Sequence, residues 1–426
     1  MRVYKFGGAS VRNAAGIRNL VSIVGKASTD LVVVVSAMGK TTNALERVAD
    51  FGYRRELEMA FRQLDDIRQY HYSVIDELSL RYHALLRDGI EAILQEIATL
   101  LRRQELPTDY DEYYDQIVSC GELISTQIVS CVLNEADITN VYLDMSKLLR
   151  TDATHRDAHV DMVLSENNLR KYIRNHPATC YVAQGYIGGT LSLSGGDMLR
   201  TTLGREGSDY SAAIVANLLD AESVTIWKDV PGVLNADPRL FDDTVLIPKL
   251  SYYDAVELAY SGAQVIHPKT IRPLENKKIP LYVRPFADAT AEGSVICDTQ
   301  ERISNVPVYI WRKRQVLITI RPKDFSFVLE DSLNQIFSVI YKHHLKVSLI
   351  QSSAVTVSVC VDESRHVDEM IDDLKKKYSV TFNMGLSLLT IRGTTPEIVK
   401  KQTAGKTILL SQTTRRTARY VIREEQ

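Results

Sequence analysis

Residues 5 to 10, Lys5-Phe6-Gly7-Gly8-Ala9-Ser10, set a lysine before two adjacent glycines, and helical periodicity begins close behind, near Asn13. Paired glycines let backbone N–H groups approach a polyanion with no Cβ in the way. A following helix N-terminus favours negative charge, and Lys5 adds a full cation. That is a phosphate site in outline, although a tight turn uses the same residues. The stretch Thr202-Leu203-Gly204-Arg205-Glu206-Gly207-Ser208-Asp209 is more informative. Two glycines flank a cation and a carboxylate, a Ser-Asp pair follows, and a helix of small residues starts at once. A cation, a carboxylate and free backbone donors thus converge at one helix start, more than a surface turn requires.

Other segments carry weaker signals. Gly39-Lys40-Thr41 imitates the end of a Walker A loop, but Val34 stands where that motif needs its first glycine. A P-loop ATPase is therefore excluded. The segment 36–43 still follows a buried strand, where open α/β sheets put their ligand loops. Glu122, just past Gly121, suits a helix cap and a ligand contact equally well. The run from Trp227 to Arg239 leaves a strand through two proline turns, a rigid loop suited to a nucleotide, with Lys228 and Arg239 available for phosphates. Residues 262 to 268 give a second loop of this type. His155 and His159 lack accompanying ligands at zinc spacing, and Lys375 to Lys377 read as the wet face of a helix.

These residues need a scaffold, and composition bounds it. A chain of 426 residues exceeds what one core usually organises, so more than one domain is expected. Its 45% apolar and 24% charged residues with a net charge of -2 are those of a globular protein without the basic excess of a nucleic-acid surface. Five scattered cysteines read as buried thiols in a reducing compartment, and no apolar run is expected to reach the roughly 18 residues of a membrane helix. A cytoplasmic protein with no membrane and no nucleic-acid partner is the expectation. Residues 1–300 alternate β-branched runs, clearest at 32–35 and 223–227, with helical stretches, the pattern of an α/β domain on a mostly parallel sheet. Within it, residues of about 43–115 form a helical elaboration, with a break at 105–114. Beyond residue 300 a weak repeat appears. Leu317-Ile318-Thr319-Ile320-Arg321-Pro322 is echoed by Leu388-Leu389-Thr390-Ile391-Arg392-Gly393, and the strand 349–353 by 410–414. Residues 301–426 thus read as two ferredoxin-like (βαββαβ) units, the second truncated, although such a tail could serve dimerisation alone.

Taken together, Lys-Phe-Gly-Gly at 5–8, Gly-Glu-Leu at 121–123, Leu-Gly-Arg-x-Gly-Ser-Asp at 203–209 and Asp-Pro-Arg at 237–239 resemble the aspartate kinases of the amino-acid kinase family, and the tail resembles their paired ACT regulatory modules. The resemblance implies an enzyme that phosphorylates the β-carboxylate of L-aspartate with ATP and Mg²⁺. It further implies a homodimer or higher homo-oligomer through the ACT units, with an amino-acid effector. By the same resemblance Lys5 and Asp209 are catalytic, and Thr42, Glu122, Arg205 and Ser208 bind substrate, Arg205 through the substrate's α-carboxylate. Lys5, Phe6, Gly7, Gly8, Ser10, Lys228, Asp229, Leu234, Arg239 and Gln264 serve ATP, and no protein metal ligand is implied. Four departures stand out. Ala9 replaces a usual Thr, Leu234 a frequent aromatic, and Gln264 a frequent Lys, for which Lys228, at a position often Thr, could compensate. Ser348 takes a place where lysine-sensitive relatives often carry Asp. The competing reading is a catalytically weak amino-acid sensor of the same family, which the retained Lys5, Arg205 and Asp209 oppose.

Overall fold

The computed structural model describes residues 1–426 except 108, 193–195, 197, 205, 264–265, 302–305, 325–326, 329 and 425–426. Two compact units emerge: 1–233 with 248–256 and 265–300, and 234–247 with 257–264 and 301–426. The expected division near residue 300 is therefore crossed by two short stretches. The place of the first stretch in the second unit has a local cause. Asn235 donates its side-chain N–H to the Pro307 carbonyl at 2.9 Å, its own carbonyl accepts from Tyr309 N–H at 2.7 Å, and Phe241 stacks on Tyr309 with centroids 5.4 Å apart.

In the first unit the strands are β1 (Arg2–Phe6), β2 (Leu31–Val35), β3 (Val141–Leu143), β4 (Cys180–Gln184), the hairpin β5 (Ile187–Leu191) and β6 (Met198–Thr202), β7 (Ser223–Lys228), β8 (Lys249–Ser251), β9 (Leu281–Pro285) and β10 (Ser294–Cys297). The helices are α1 (Ala14–Val24), α2 (Thr41–Tyr53), α3 (Leu57–Leu78), α4 (His83–Arg102), α5 (Tyr110–Val118), α6 (Cys120–Glu135), α7 (Met145–Leu148), α8 (Met162–Asn175), α9 (Gly207–Leu218), the first half of α10 (Tyr252–Ser261), whose residues from 257 on belong to the second unit, and α11 (Pro268–Lys277). Eight strands form one sheet in the order β3-β4-β2-β1-β7-β9-β10-β8, parallel throughout except between β9 and β10. The run Leu31-Val32-Val33-Val34-Val35 is buried at every position, as a parallel strand covered on both faces requires. From β1 the chain moves to β2 on one side and reaches β7 on the other. That makes the carboxyl end of β1 a topological switch point, where open α/β sheets bind ligands.

Within the stretch expected as a helical elaboration, α2, α3 and α4 carry one apolar face each into the sheet core. The expected break at 105–114 is shorter than predicted, because Asp109 caps α5 by accepting from Asp111 N–H at 2.9 Å. One expectation is overturned. The run Tyr110–Glu135 is long and apolar enough to cross a bilayer by length and composition, and 72% of its most apolar window is buried, with Ile117, Ile124, Ile128 and Val129 packed in the sheet core.

The second unit is a six-stranded antiparallel sheet built from β11 (Val308–Pro322), β12 (Val347–Ser352), β13 (Val357–Asp362), β14 (Tyr378–Arg392), β15 (Lys406–Thr413) and β16 (Thr417–Glu424), in the order β12-β13-β11-β14-β16-β15. Its helices are α12 (Glu330–Lys342), α13 (His366–Lys375) and α14 (Pro396–Thr403). The first ferredoxin-like unit is complete, β11-α12-β12-β13-α13-β14. The second runs from the far half of β14 through α14, β15 and β16, and it borrows the front half of β11, which pairs Val308–Arg312 with Arg392–Leu388. Two 15-residue strands therefore pass through both units, bent by a bulge between Arg312 and Gln315.

Candidate active site

The loops leaving β1, β2, β4 and β7 open on a cavity of about 630 Å³, lined in part by Lys5, Gly8, Thr42, Glu122, Ser208, Asp209 and Lys228. Local rules place each of these. Asn13 caps α1 by accepting from Gly16 N–H at 2.9 Å, which turns the chain sharply after β1. Gly39 N–H donates to the Gly8 carbonyl at 2.9 Å and ties the first two loops together. A Cβ on Gly8 would come within 2.6 Å of the Ala37 carbonyl, so only glycine allows this approach. At the end of β4 a Cβ on Gly185 would strike the Ser208 side chain at 2.5 Å. The small residues of α9 let that helix lie buried at every position but Tyr210, which carries Asp209 in its first turn to Lys5. The preceding turn is braced by Lys269, which donates to the Leu203 carbonyl at 3.0 Å and pairs with Asp157 at 2.5 Å.

At the head of the cavity Asp209 is held between two ammonium groups, Lys5 at 2.5 Å and Lys228 at 3.3 Å. Burial alone would raise the Asp209 carboxyl, but Lys5 and then Lys228 hold it below its ordinary value. Asp209 is thus a fixed anion that aims two cations. Glu122 is the opposite case. Its Oε1 accepts from Ala37 N–H at 3.1 Å, its Oε2 is buried with no hydrogen-bond partner among the described residues, and burial pushes its pKa up to about 8. Such a carboxyl suits an incoming cationic group that pairs with it. Behind the loops, buried His71 lies 3.5 Å from the Thr41 hydroxyl, and burial lowers its pKa to about 4, so it is neutral packing.

Not every expected residue reaches the cavity. Phe6 is fully buried and stacks on Trp227, because the alternation of β1 points it away from Lys5 and into the core. Ser10 donates its hydroxyl to the Trp227 carbonyl at 3.4 Å, and neither it nor Gly7 is part of the lining. Asp229 is exposed outside the lining. Leu234 and Arg239 belong to the second unit, where Arg239 is exposed and pairs with Asp237 at 2.7 Å. Arg205 and Gln264 lie outside the described residues. Lys228 lines the cavity and is engaged with Asp209 at 3.3 Å. Four lining residues escaped the sequence reading: Glu46, Tyr114, Arg156 and Tyr186.

The family model described as the amino acid kinase family matches residues 1–285, two thirds of the chain. The chain belongs to the amino acid kinase family. Within that family it is 30% identical to the lysine-sensitive aspartokinase 3 of Escherichia coli (strain K12) over 400 residues, covering 92% of this chain and 86% of that protein. It is 27% identical to the chloroplastic aspartokinase 1 of Arabidopsis thaliana, over 92% of this chain and 70% of the plant protein. Among solved structures, E. coli aspartokinase III in complex with aspartate and ADP superposes with a TM-score of 0.82 at 28% identity, over 99% of this chain and 96% of that one. The same family member in complex with lysine and aspartate gives a TM-score of 0.80. The regulatory tail therefore lies within the likeness.

Proposed function

We propose that this chain is an aspartate kinase, transferring the terminal phosphoryl of ATP to the β-carboxylate of L-aspartate, with residues 1–300 catalytic and 301–426 regulatory. The observation that carries the reading is the Lys5–Asp209–Lys228 cluster, with Lys5 and Asp209 buried, which lines one cavity together with Glu122. A carboxylate nucleophile is ionised already and needs no general base, so catalysis reduces to alignment and charge neutralisation. Lys5, kept in place by Asp209, stabilises charge on the transferring phosphoryl. Lys228 adds a second cation at the same end, and Ser208 at the start of α9 offers a donor to the phosphates. Glu122 takes the substrate ammonium and, with Thr42, orients the amino acid.

Among the described residues no three His, Cys, Asp or Glu side chains cluster to cage a metal. A Mg²⁺ carried on the nucleotide phosphates would supply further neutralisation of the transferring group beside Lys5 and Lys228. The cysteines are all unbridged, in keeping with a cytoplasmic setting. The regulatory sheet is read as a homodimerisation module with an amino-acid effector site. ATP-dependent trapping of the acyl phosphate as a hydroxamate tests the reaction. L-Aspartate should support it at least about a hundredfold better than L-glutamate, and comparable rates with both would overturn the assignment.

A further inference from the structure

Arg156 carries no motif, yet the fold invests heavily in its position. Asp115, completely buried, accepts from Thr202 N–H at 3.0 Å, the Thr202 hydroxyl at 2.6 Å, His155 Nδ1 at 2.9 Å and the backbone N–H of Arg156 at 3.1 Å. One carboxylate thus ties the 155–156 turn to the end of β6. Arg156 adopts φ +65°, which a non-glycine residue takes up only where the surroundings impose it. Tyr186 at +68° and Glu206 at +54° line the same cavity. The Arg156 guanidinium lies 4.3 Å above the Tyr114 ring, and Tyr114 is fixed in turn by donating to Glu46 at 2.6 Å. The result is a pre-aimed planar cation.

Lys5, Lys228 and Arg156 are the cations among the described lining residues, and the first two are committed to the phosphoryl end through Asp209. An amino dicarboxylate whose reacting carboxylate lies there must direct its other carboxylate along the remaining wall, past Glu122. Glu46 on that wall would repel it, so a cation is required. We propose that Arg156 is a specificity-determining residue that binds the α-carboxylate of the amino-acid substrate, in addition to the contact that the resemblance implies for Arg205; this rests on the aspartate kinase reading. Its present partner, Asp111 at 3.1 Å, is half exposed like Arg156 itself. A pair of that kind is weak and gives way to a bidentate carboxylate.

The test compares L-aspartate with its α-amide, isoasparagine, which keeps the β-carboxylate but presents a neutral group in place of the α-carboxylate. Affinities are read by calorimetry and KM by turnover, for wild type, Arg156→Gln, Arg156→Lys and Arg156→Asn; asparagine tolerates the positive φ and guards against misfolding. Arg156→Gln should weaken L-aspartate about tenfold or more, leave the ATP KM and kcat within about threefold, and hardly alter α-amide binding, so discrimination between the ligands narrows by the same factor. Arg156→Lys should recover part of the loss and Arg156→Asn should match Arg156→Gln. Equal losses for both ligands, or an unchanged L-aspartate affinity, overturn the proposal. Calorimetry needs no phosphoryl transfer, so failure of wild type to turn over would count against the kinase reading alone.

Discussion

Among the described residues, each unit buries a polar side-chain atom with no hydrogen-bond partner at a place where a ligand is expected: Glu122 Oε2 beside the catalytic loops, and Ser348 Oγ in β12 of the regulatory sheet. An unmatched buried polar atom costs stability in both places, on the order of 1–3 kcal/mol. The two differ in what can relieve them. Glu122 ionises, has Lys5 nearby, and calls for a cation. The hydroxyl of Ser348 carries no charge and asks only for a hydrogen bond. The catalytic unit is therefore built around fixed charge, while the regulatory one offers a neutral contact.

The comparison is broken most directly by removing charge from the catalytic side. Lys5→Ala should lower kcat by roughly a thousandfold or more, since a cation aimed at the transferring phosphoryl has effects of that order. The fold should survive, because Asp209 keeps Lys228 as partner. Circular dichroism and thermal melting would check this beside the kinetics. Turnover within about tenfold of wild type would remove Lys5 from the reaction.

A smaller effect comes from Glu122. Its carboxyl titrates at about 8 in the free protein, so below that pH it is mostly protonated and must release its proton to receive the substrate ammonium. Aspartate affinity should rise, and its KM fall, as pH increases from about 6.5 to about 8.5, by up to tenfold per pH unit below the pKa, and then level off. Glu122→Gln should raise the aspartate KM about tenfold or more and flatten this dependence. A wild-type KM that does not vary over that range would show that the ammonium binds elsewhere.

What could be read in advance follows from where residues lie along the chain. Lys5, Gly8, Ser208 and Asp209 sit at loop–helix starts whose residue types reveal polyanion chemistry, and the cavity gathers them. Tyr114 and Arg156 come from an ordinary helix and an ordinary turn, and only the burial of Asp115 brings them to the wall. The alternation of β1 was a usable signal that Phe6 faces the core, opposite Lys5. The regulatory repeat was visible as pairs of short strands. Their fusion into β11 and β14 was not, because a bulge breaks the period of side chains along β11 and hides its continuity.

The finest test concerns the effector. In β12 the register against β13 slips between Val347 and Leu349, and in β15 against β16 it slips between Ile408 and Leu410. Both halves of the regulatory repeat thus carry a bulge at the same place, with Ser348 in one and Leu409 in the other. A bulge re-aims its extra residue, so one half directs a hydroxyl and its counterpart an apolar side chain. Leu409 packs with Leu410 against Leu349 and Val421, whereas Ser348 Oγ is unmatched. A polar effector therefore fits the first half. Serine cannot neutralise a lysine ammonium, so lysine alone should inhibit weakly, and threonine, whose side chain needs only hydroxyl and amide partners, should do somewhat better. Ser348→Asp should strengthen lysine inhibition several-fold, while Ser348→Leu, which copies the second half, should abolish the threonine response without changing uninhibited turnover. Inhibition curves for lysine, threonine, methionine and their pairs on the three proteins decide the matter. Potent inhibition of wild type by lysine alone would place the balancing carboxylate elsewhere, at Glu330 or Asp331 in the first turn of α12.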